Sequence, residues 1–293
     1  MIDSAQLERL LLRAEHVLGR LEAALPPVPP LPDWAAATAF RWRKQAGRGW
    51  LQAVSTPHPI RLSDIETVDD QKARIVANTA QFVAGQGANN VLLTGARGCG
   101  KSSLVKAVLN AFAHRGLRLI EVDKADLIDL ADIVDLLDGR PEKFIIFCDD
   151  LSFEAGETAY KALKSVLDGS IAAAPDNVLI YATSNRRHLM PEYFADNLDT
   201  QRIDDEIHPG EAVEEKISLS ERFGLWISFY PFSQDDYLVV FAHWARQFGI
   251  ANSVIANAER EALNWALSRG SRSGRVAWQF ARDLAGRQTE PAA

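Results

Sequence analysis

Val91-Leu92-Leu93-Thr94-Gly95-Ala96-Arg97-Gly98-Cys99-Gly100-Lys101-Ser102 is an apolar run that breaks into glycines and ends on a lysine and a hydroxyl. Its second part, Gly95 to Ser102, fills every position of G-x-x-x-x-G-K-[ST]. The first part has the length and apolarity of a buried parallel strand. Beyond Ser102, Leu104, Val105, Val108, Leu109 and Phe112 recur at helical spacing. Strand, glycine loop and helix form the context in which this pattern binds phosphate. Gly95, Gly98 and Gly100 let the backbone curl with its N–H groups turned inward. The helix adds the positive end of its dipole. Lys101 brings a mobile cation for β- and γ-phosphates, and Ser102 a hydroxyl for Mg²⁺.

A second apolar run, Phe144-Ile145-Ile146-Phe147-Cys148, ends on Asp149-Asp150. In a phosphate-loop protein this is the Walker B pattern. Its strand is expected beside the loop strand, with the terminal acids at the nucleotide. Asp149 is expected to hold Mg²⁺, directly or through water, and Asp150 to orient and polarise the attacking water. The following strand ends Tyr181-Ala182-Thr183-Ser184-Asn185. Asn185 is expected between the two elements, in reach of the same water and the γ-phosphate.

The 293 residues are 47% hydrophobic and 24% charged, an ordinary globular balance with room for one large or two modest domains. No apolar run approaches the ~20 residues of a membrane helix. Asp3, Glu8, Arg9 and Arg13 interrupt the N-terminus where a secretory signal would be apolar. Cys99 and Cys148 read as small buried residues rather than a disulfide or metal site. A cytoplasmic location is expected. A net charge of −7 argues against coating nucleic acid by bulk charge.

Residues 4–25 predict an amphipathic helix with Leu7, Leu10, Leu11, Ala14, Val17, Leu18, Leu21 and Leu25 on one stripe. Pro26-Pro27-Val28-Pro29-Pro30-Leu31-Pro32 ends it as a stiff spacer or an SH3-type ligand. Phe40-Arg41-Trp42-Arg43-Lys44, with Arg48 and Trp50, interleaves cations with aromatics. It either docks the N-terminal extension onto an acidic body or stacks bases and neutralises phosphates. From Leu62 the pattern is α/β, with a helix at 69–84 and apolar strands at 91–94, 117–122, 144–148, 178–182 and 225–229. Such alternation indicates a parallel sheet covered by helices. After Phe232 only helices follow, at 235–248, 256–268 and 276–284. Residues 196–216 are strongly acidic around His208, a solvated loop or a metal site.

Two more stretches carry an arginine at a junction: Ser220-Glu221-Arg222-Phe223-Gly224 and Gly270-Ser271-Arg272-Ser273-Gly274-Arg275-Val276-Ala277. With these, residues of roughly 60–285 resemble the AAA+ ATPases. Walker A, Walker B, sensor 1, an arginine finger and a sensor 2 arginine fall in that family's order. The resemblance implies a five-stranded parallel sheet with helices on both faces and a helical lid, with ATP bound between sheet domain and lid. It implies that Arg222 enters a neighbouring subunit's site in a homo-oligomer, and that Arg275 touches the γ-phosphate in its own. Ala96, Cys99, Ser103 and, upstream, Ile65 complete the expected nucleotide-binding set. The domains are then an N-terminal helical and Pro-rich extension (1–60), a nucleotide-binding α/β domain (61–231), a helical lid (232–288) and a tail (289–293). The stretches 148–154, 207–212 and 220–225 are similar to a bacterial group of AAA+ proteins of unassigned function.

Two departures matter. Walker B ends Asp-Asp rather than Asp-Glu, which implies slow hydrolysis. The second strand is followed by Val122-Asp123-Lys124-Ala125-Asp126-Leu127 rather than an aromatic–hydrophobic–Gly pore loop, which counts against a threading unfoldase. The leading expectation is an oligomeric Mg²⁺-dependent ATPase that remodels or loads a protein or nucleic-acid partner. The alternative is a nucleotide-gated assembly module with little turnover; a small-molecule kinase lacks any acceptor-site pattern. Lys101→Ala is expected to abolish ATP binding in a calorimetric titration, and wild-type affinity in that variant would refute the phosphate-loop reading.

Overall fold

The structure, a computed structural model, describes residues 4–24, 31–45, 47–153, 157–169, 175–185, 201–203, 206–208 and 219–289. A helix, α1 (Ser4–Ala24), is followed by a hairpin of β1 (Ala39–Gln45) and β2 (Arg48–Ala53). Then come α2 (Asp69–Val83), β3 (Val91–Gly95), α3 (Lys101–Phe112), β4 (Leu117–Glu121) and α4 (Leu130–Leu137). Next are β5 (Lys143–Cys148), α5 (Thr158–Asp168), β6 (Val178–Ser184), the short strands β7 (Gln201–Ile203) and β8 (Glu206–His208), and β9 (Leu225–Phe229). Three helices, α6 (Gln234–Gln247), α7 (Asn252–Ser268) and α8 (Gly274–Thr289), form the C-terminal lid.

The main sheet runs β2-β1-β4-β5-β6-β3-β9 and is parallel except for the β1–β2 hairpin. Alternation of apolar residues assigns its faces. Leu93, Ile145, Phe147 and Tyr181 point to the side packed by α2, α3 and the lid. Leu92, Phe144, Ile146, Cys148 and Ile180 point to the side packed by α4 and α5. Such strands are buried on both faces, as a parallel sheet requires. On the first face the Tyr181 hydroxyl lies 2.8 Å from Thr79 Oγ1 and accepts from Asn78 Nδ2 at 3.1 Å, which locks α2 to the sheet. At the β9 edge, Gln71 and Arg74 of α2 donate to the carbonyls of Ser228 and Trp226, so that edge is capped.

Two expectations are corrected, and one left open between two readings is resolved. The main sheet has seven strands, not five, because residues 39–53 add two at its edge. The basic-aromatic stretch supplies them: Phe40 and Trp42 are buried, and the cations between pair with the body, Arg41 with Glu121 at 2.7 Å and Lys44 with Asp129 at 2.8 Å. Aromatics committed to a core do not stack bases, so the docking alternative is the one observed. Finally, the Walker B strand β5 does not lie beside β3; β6 stands between them. Residues 25–30, Glu154 and most of 196–216 fall outside the described residues, apart from β7 and β8, which pair antiparallel. Among the described residues no cluster of three or more His, Cys, Asp or Glu is arranged to hold a metal ion, and no helix is long and apolar enough to cross a membrane.

The hairpin is part of the core. Trp34 packs against Phe40 (centroids 4.6 Å apart) and edge-on to Phe144 (4.9 Å), and the Trp42 indole donates to Asp129. Trp42→Ala is expected to cost about 3–5 kcal/mol in denaturant-monitored stability, the range for emptying a large aromatic site. A loss below about 1 kcal/mol would make the hairpin an accessory to the fold.

Candidate functional site

The loop between β3 and α3 is shaped by positions that exclude side chains. Gly95 has φ +126° and its backbone runs against β9; a Cβ there would sit 1.9 Å from the Phe229 carbonyl oxygen. Gly98 has φ +75°, and a Cβ would meet Ser273 at 2.6 Å. Both the left-handed backbone and the close approach demand glycine. Gly100 caps α3, whose first-turn amides therefore open toward the loop.

Lys101 is buried and folded back into the loop. Its ammonium donates to the carbonyls of Gly95 and Ala96, each at 2.7 Å, and to Asn185 Oδ1 at 3.0 Å. Burial lowers its pKa, opposed by the charges of Cys99, Asp150 and Asp149. Asn185 passes the contact on: its Nδ2 donates to Asp150 Oδ1. The orientation of that amide is dictated, since an ammonium only donates and a carboxylate only accepts.

The second half of the site holds Asp149. Its Oδ1 accepts from Ser102 Oγ at 2.6 Å and from Thr183 Oγ1 at 2.5 Å. Thr183 also accepts the Asp150 amide at 2.9 Å and so fixes a turn in which Asp150 has φ +52°. Such a φ is sterically disfavoured for an aspartate and needs support. The last residues of β6 thus bridge both Walker elements, which explains how β5 serves the loop from one strand further away. Thr183 is absent from the residues singled out in the sequence; its signal is a hydroxyl two residues before Asn185 on the same strand end.

The lid closes on the same loop. Gly274, at the start of α8, donates its N–H to the Gly98 carbonyl at 2.8 Å. Arg275 is the next residue and is exposed. Ala96, Arg97 and Cys99 face Leu263, Leu267 and Ser271 of the lid across a cavity of about 630 Å³. Cys99 is buried, and that burial raises its thiol pKa despite the nearby Lys101. Ile65 is buried ahead of α2, and its carbonyl accepts from Lys72. Ser103 follows Ser102 on α3 and is half-buried. His243 of the lid lies between Asp64 (3.3 Å) and Glu66 (3.2 Å), tying the lid to the segment that contains Ile65.

Arg222 is not part of this cluster. It lies three residues before Leu225, which pairs with Val91 at the start of β3, whereas the loop follows Gly95 at the other end. Five strand residues separate the two levels by ~13 Å. There Arg222 pairs with Asp168 at the end of α5, a partner 54 residues away in the chain with no local signal in the sequence.

Comparison with known proteins gives a family and a fold. A family model described as "Protein of unknown function (DUF815)" matches residues 35–288. No curated protein matches the chain. Among solved structures, a point mutant of Thermotoga maritima RuvB matches with a TM-score of 0.50 at 16% identity, over 76% of this chain and 64% of that one. The Trip13-containing complex of Escherichia coli MS115-1 matches at 0.49 and 12% identity, over 80% of this chain and 92% of that one. AMPPCP-bound DnaA from Aquifex aeolicus matches at 0.45 and 14%, over 69% and 60%. The chain thus spans under two thirds of that RuvB chain, and the likeness is one of fold: a mostly parallel α/β sheet followed by a C-terminal helical region.

Thr183→Val removes one donor to Asp149 and leaves the Asp150 amide without its acceptor. The expected cost is about 1–3 kcal/mol, read from urea midpoints at constant slope, with Thr183→Ser restoring most of it. Equal stability of the valine variant would remove Thr183 from the role of support.

Proposed function

The chain belongs to the DUF815 family, and we propose that it is a Mg²⁺-dependent ATPase that works as a homo-oligomer, with each active site completed by a neighbour. The observation that carries the proposal is the bonded network Lys101–Asn185–Asp150 beside Ser102–Asp149–Thr183. It brings a buried cation, an oxygen pair suited to a divalent ion and a second carboxylate together at the amino end of a helix.

The donor set fits Mg²⁺-ATP. Gly98 and Gly100 keep two positions of the loop backbone free of side chains, and the α3 amides with Lys101 supply positive charge where phosphate would lie. Ser102 Oγ and Asp149 are hard oxygen ligands for Mg²⁺, which when bound would neutralise charge on the phosphates. The cavity between loop and lid, with Leu263 and Leu267 on its wall, suits the apolar part of a nucleotide. Ala96, Cys99, Ser103 and Ile65 are read as further nucleotide contacts, and Arg275 as the lid's contact to the γ-phosphate. Asp150 is read as the group that orients and polarises the attacking water, with Asn185 fixing its carboxylate. Arg222, ~13 Å of strand away from its own loop, is read as the group presented to the neighbour. Its pairing with Asp168 supports slow turnover in the isolated subunit, because that contact must open before Arg222 reaches across. The ATP cycle is proposed to remodel or load a macromolecular partner from the cytoplasm.

An arginine finger is typically worth ~10³–10⁵ in rate. Asp150→Asn and Arg222→Ala are each expected to bind ATP and hydrolyse it poorly. Mixing the two is expected to restore part of the phosphate release, where an intact site meets an intact finger. A mixture no more active than its components, with mixed oligomers demonstrated, would refute action across the interface.

A further inference from the structure

Helix α1 shows its apolar stripe to water. Every described side chain from Gln6 to Arg20 is exposed, and Leu7, Leu10, Leu11, Val17 and Leu18 are each between 48% and 59% accessible. Helices in proteins take most of their stability from packing an amphipathic face, and no described side chain of this 21-residue helix from Gln6 to Arg20 is buried. The chain that follows holds Pro26, Pro27, Pro29, Pro30 and Pro32, the composition of a spacer rather than of a close connection.

The charges beside the stripe say what can cover it. At 3.6 residues per turn, Leu7, Leu10, Leu11, Ala14, Val17 and Leu18 fall within an arc of roughly 120°. Glu8 and Glu15 lie along one flank of that arc, and Arg13 and Arg20 along the other. We propose that α1 is a self-association element that packs in parallel against α1 of a second copy of this chain.

The orientation follows from symmetry. When two such helices run parallel, rotation about an axis along them brings the acidic flank of each against the basic flank of the other. Arg13 then differs from the partner helix's position 15 by two residues, ~3 Å of rise. When they run antiparallel, acid meets acid and base meets base, and like charges at a helix interface destabilise it. A lipid surface is a poorer match, since interfacial helices line their polar face with cations and this one has an acidic flank. The parallel arrangement holds for any cyclic assembly as well as for a pair, because all copies then point the same way. It needs no nucleotide and does not rest on the ATPase reading.

The test uses the full chain without nucleotide. In sedimentation equilibrium, wild-type self-association is expected to weaken at least about tenfold, or ~1.4 kcal/mol, in Leu10→Asp/Leu18→Asp and in Arg13→Glu/Arg20→Glu. Exchange of both flanks, Glu8→Arg/Glu15→Arg/Arg13→Glu/Arg20→Glu, is expected to restore it. The thermal midpoint of the body should be unchanged in all of them, as α1 lies outside the core. Leu7→Cys is expected to oxidise to a covalent dimer with itself. A wild-type chain that stays monomeric, flank variants that associate like wild type, or no recovery on exchange would overturn the proposal. So would crosslinking only between Leu7→Cys and Leu18→Cys, the antiparallel signature.

Discussion

A buried ammonium organises the centre of this molecule. Lys101 sits at the start of α3 with most of its surface removed from water, and a cation in that position must be surrounded by oxygens. Two come from the loop that precedes it and a third from Asn185, at the end of β6. That demand ties the loop curvature to the strand end. The strand end in turn holds the two acids of β5, through Asn185 on Asp150 and Thr183 on both. Gly95 and Gly98 are fixed by the same closeness, one against β9 and one against the lid. A change at any of these contacts is therefore felt at the others.

The parts of this arrangement that could be read from the sequence are those encoded locally. The loop motif, the apolar strand before it and the apolar periodicity after it lie within about two dozen residues, and each predicted element is present. The acids after β5 and the asparagine after β6 were legible for the same reason: a polar residue that ends an apolar strand has few places to go. Strand order is different. It depends on which crossover inserts where, and β6 stands between β5 and β3 although it follows β5 in the chain. The hairpin was hidden by its charges. Arg41 and Lys44 look like a surface pattern until Glu121 and Asp129, some eighty residues on, are brought beside them. Alternation in Phe40-Arg41-Trp42 was in fact the strand period, with aromatics inward and cations outward. Thr183 and Asp168 act through partners 34 and 54 residues away; Thr183 left only a hydroxyl near the end of its strand as a trace, and Asp168 none.

The site and the proposed assembly are linked by distance. Everything that surrounds the loop lies at the carboxyl end of the sheet, where open α/β folds bind ligands. Arg222 lies at the other end, engaged by Asp168. In the proposed homo-oligomer, a residue so far from its own loop contributes to chemistry by meeting another subunit's loop. The exposed stripe of α1 offers a separate means of bringing copies together in one orientation, which would raise the local concentration of neighbours before any nucleotide-dependent contact forms.

Steady-state phosphate release per subunit, followed across a wide range of wild-type protein concentration with Mg²⁺-ATP in excess, tests the proposal of shared active sites most directly. Specific activity should be low in dilute protein, rise as oligomers form and level off once association is complete. Full activity per subunit in protein shown to be monomeric would contradict it.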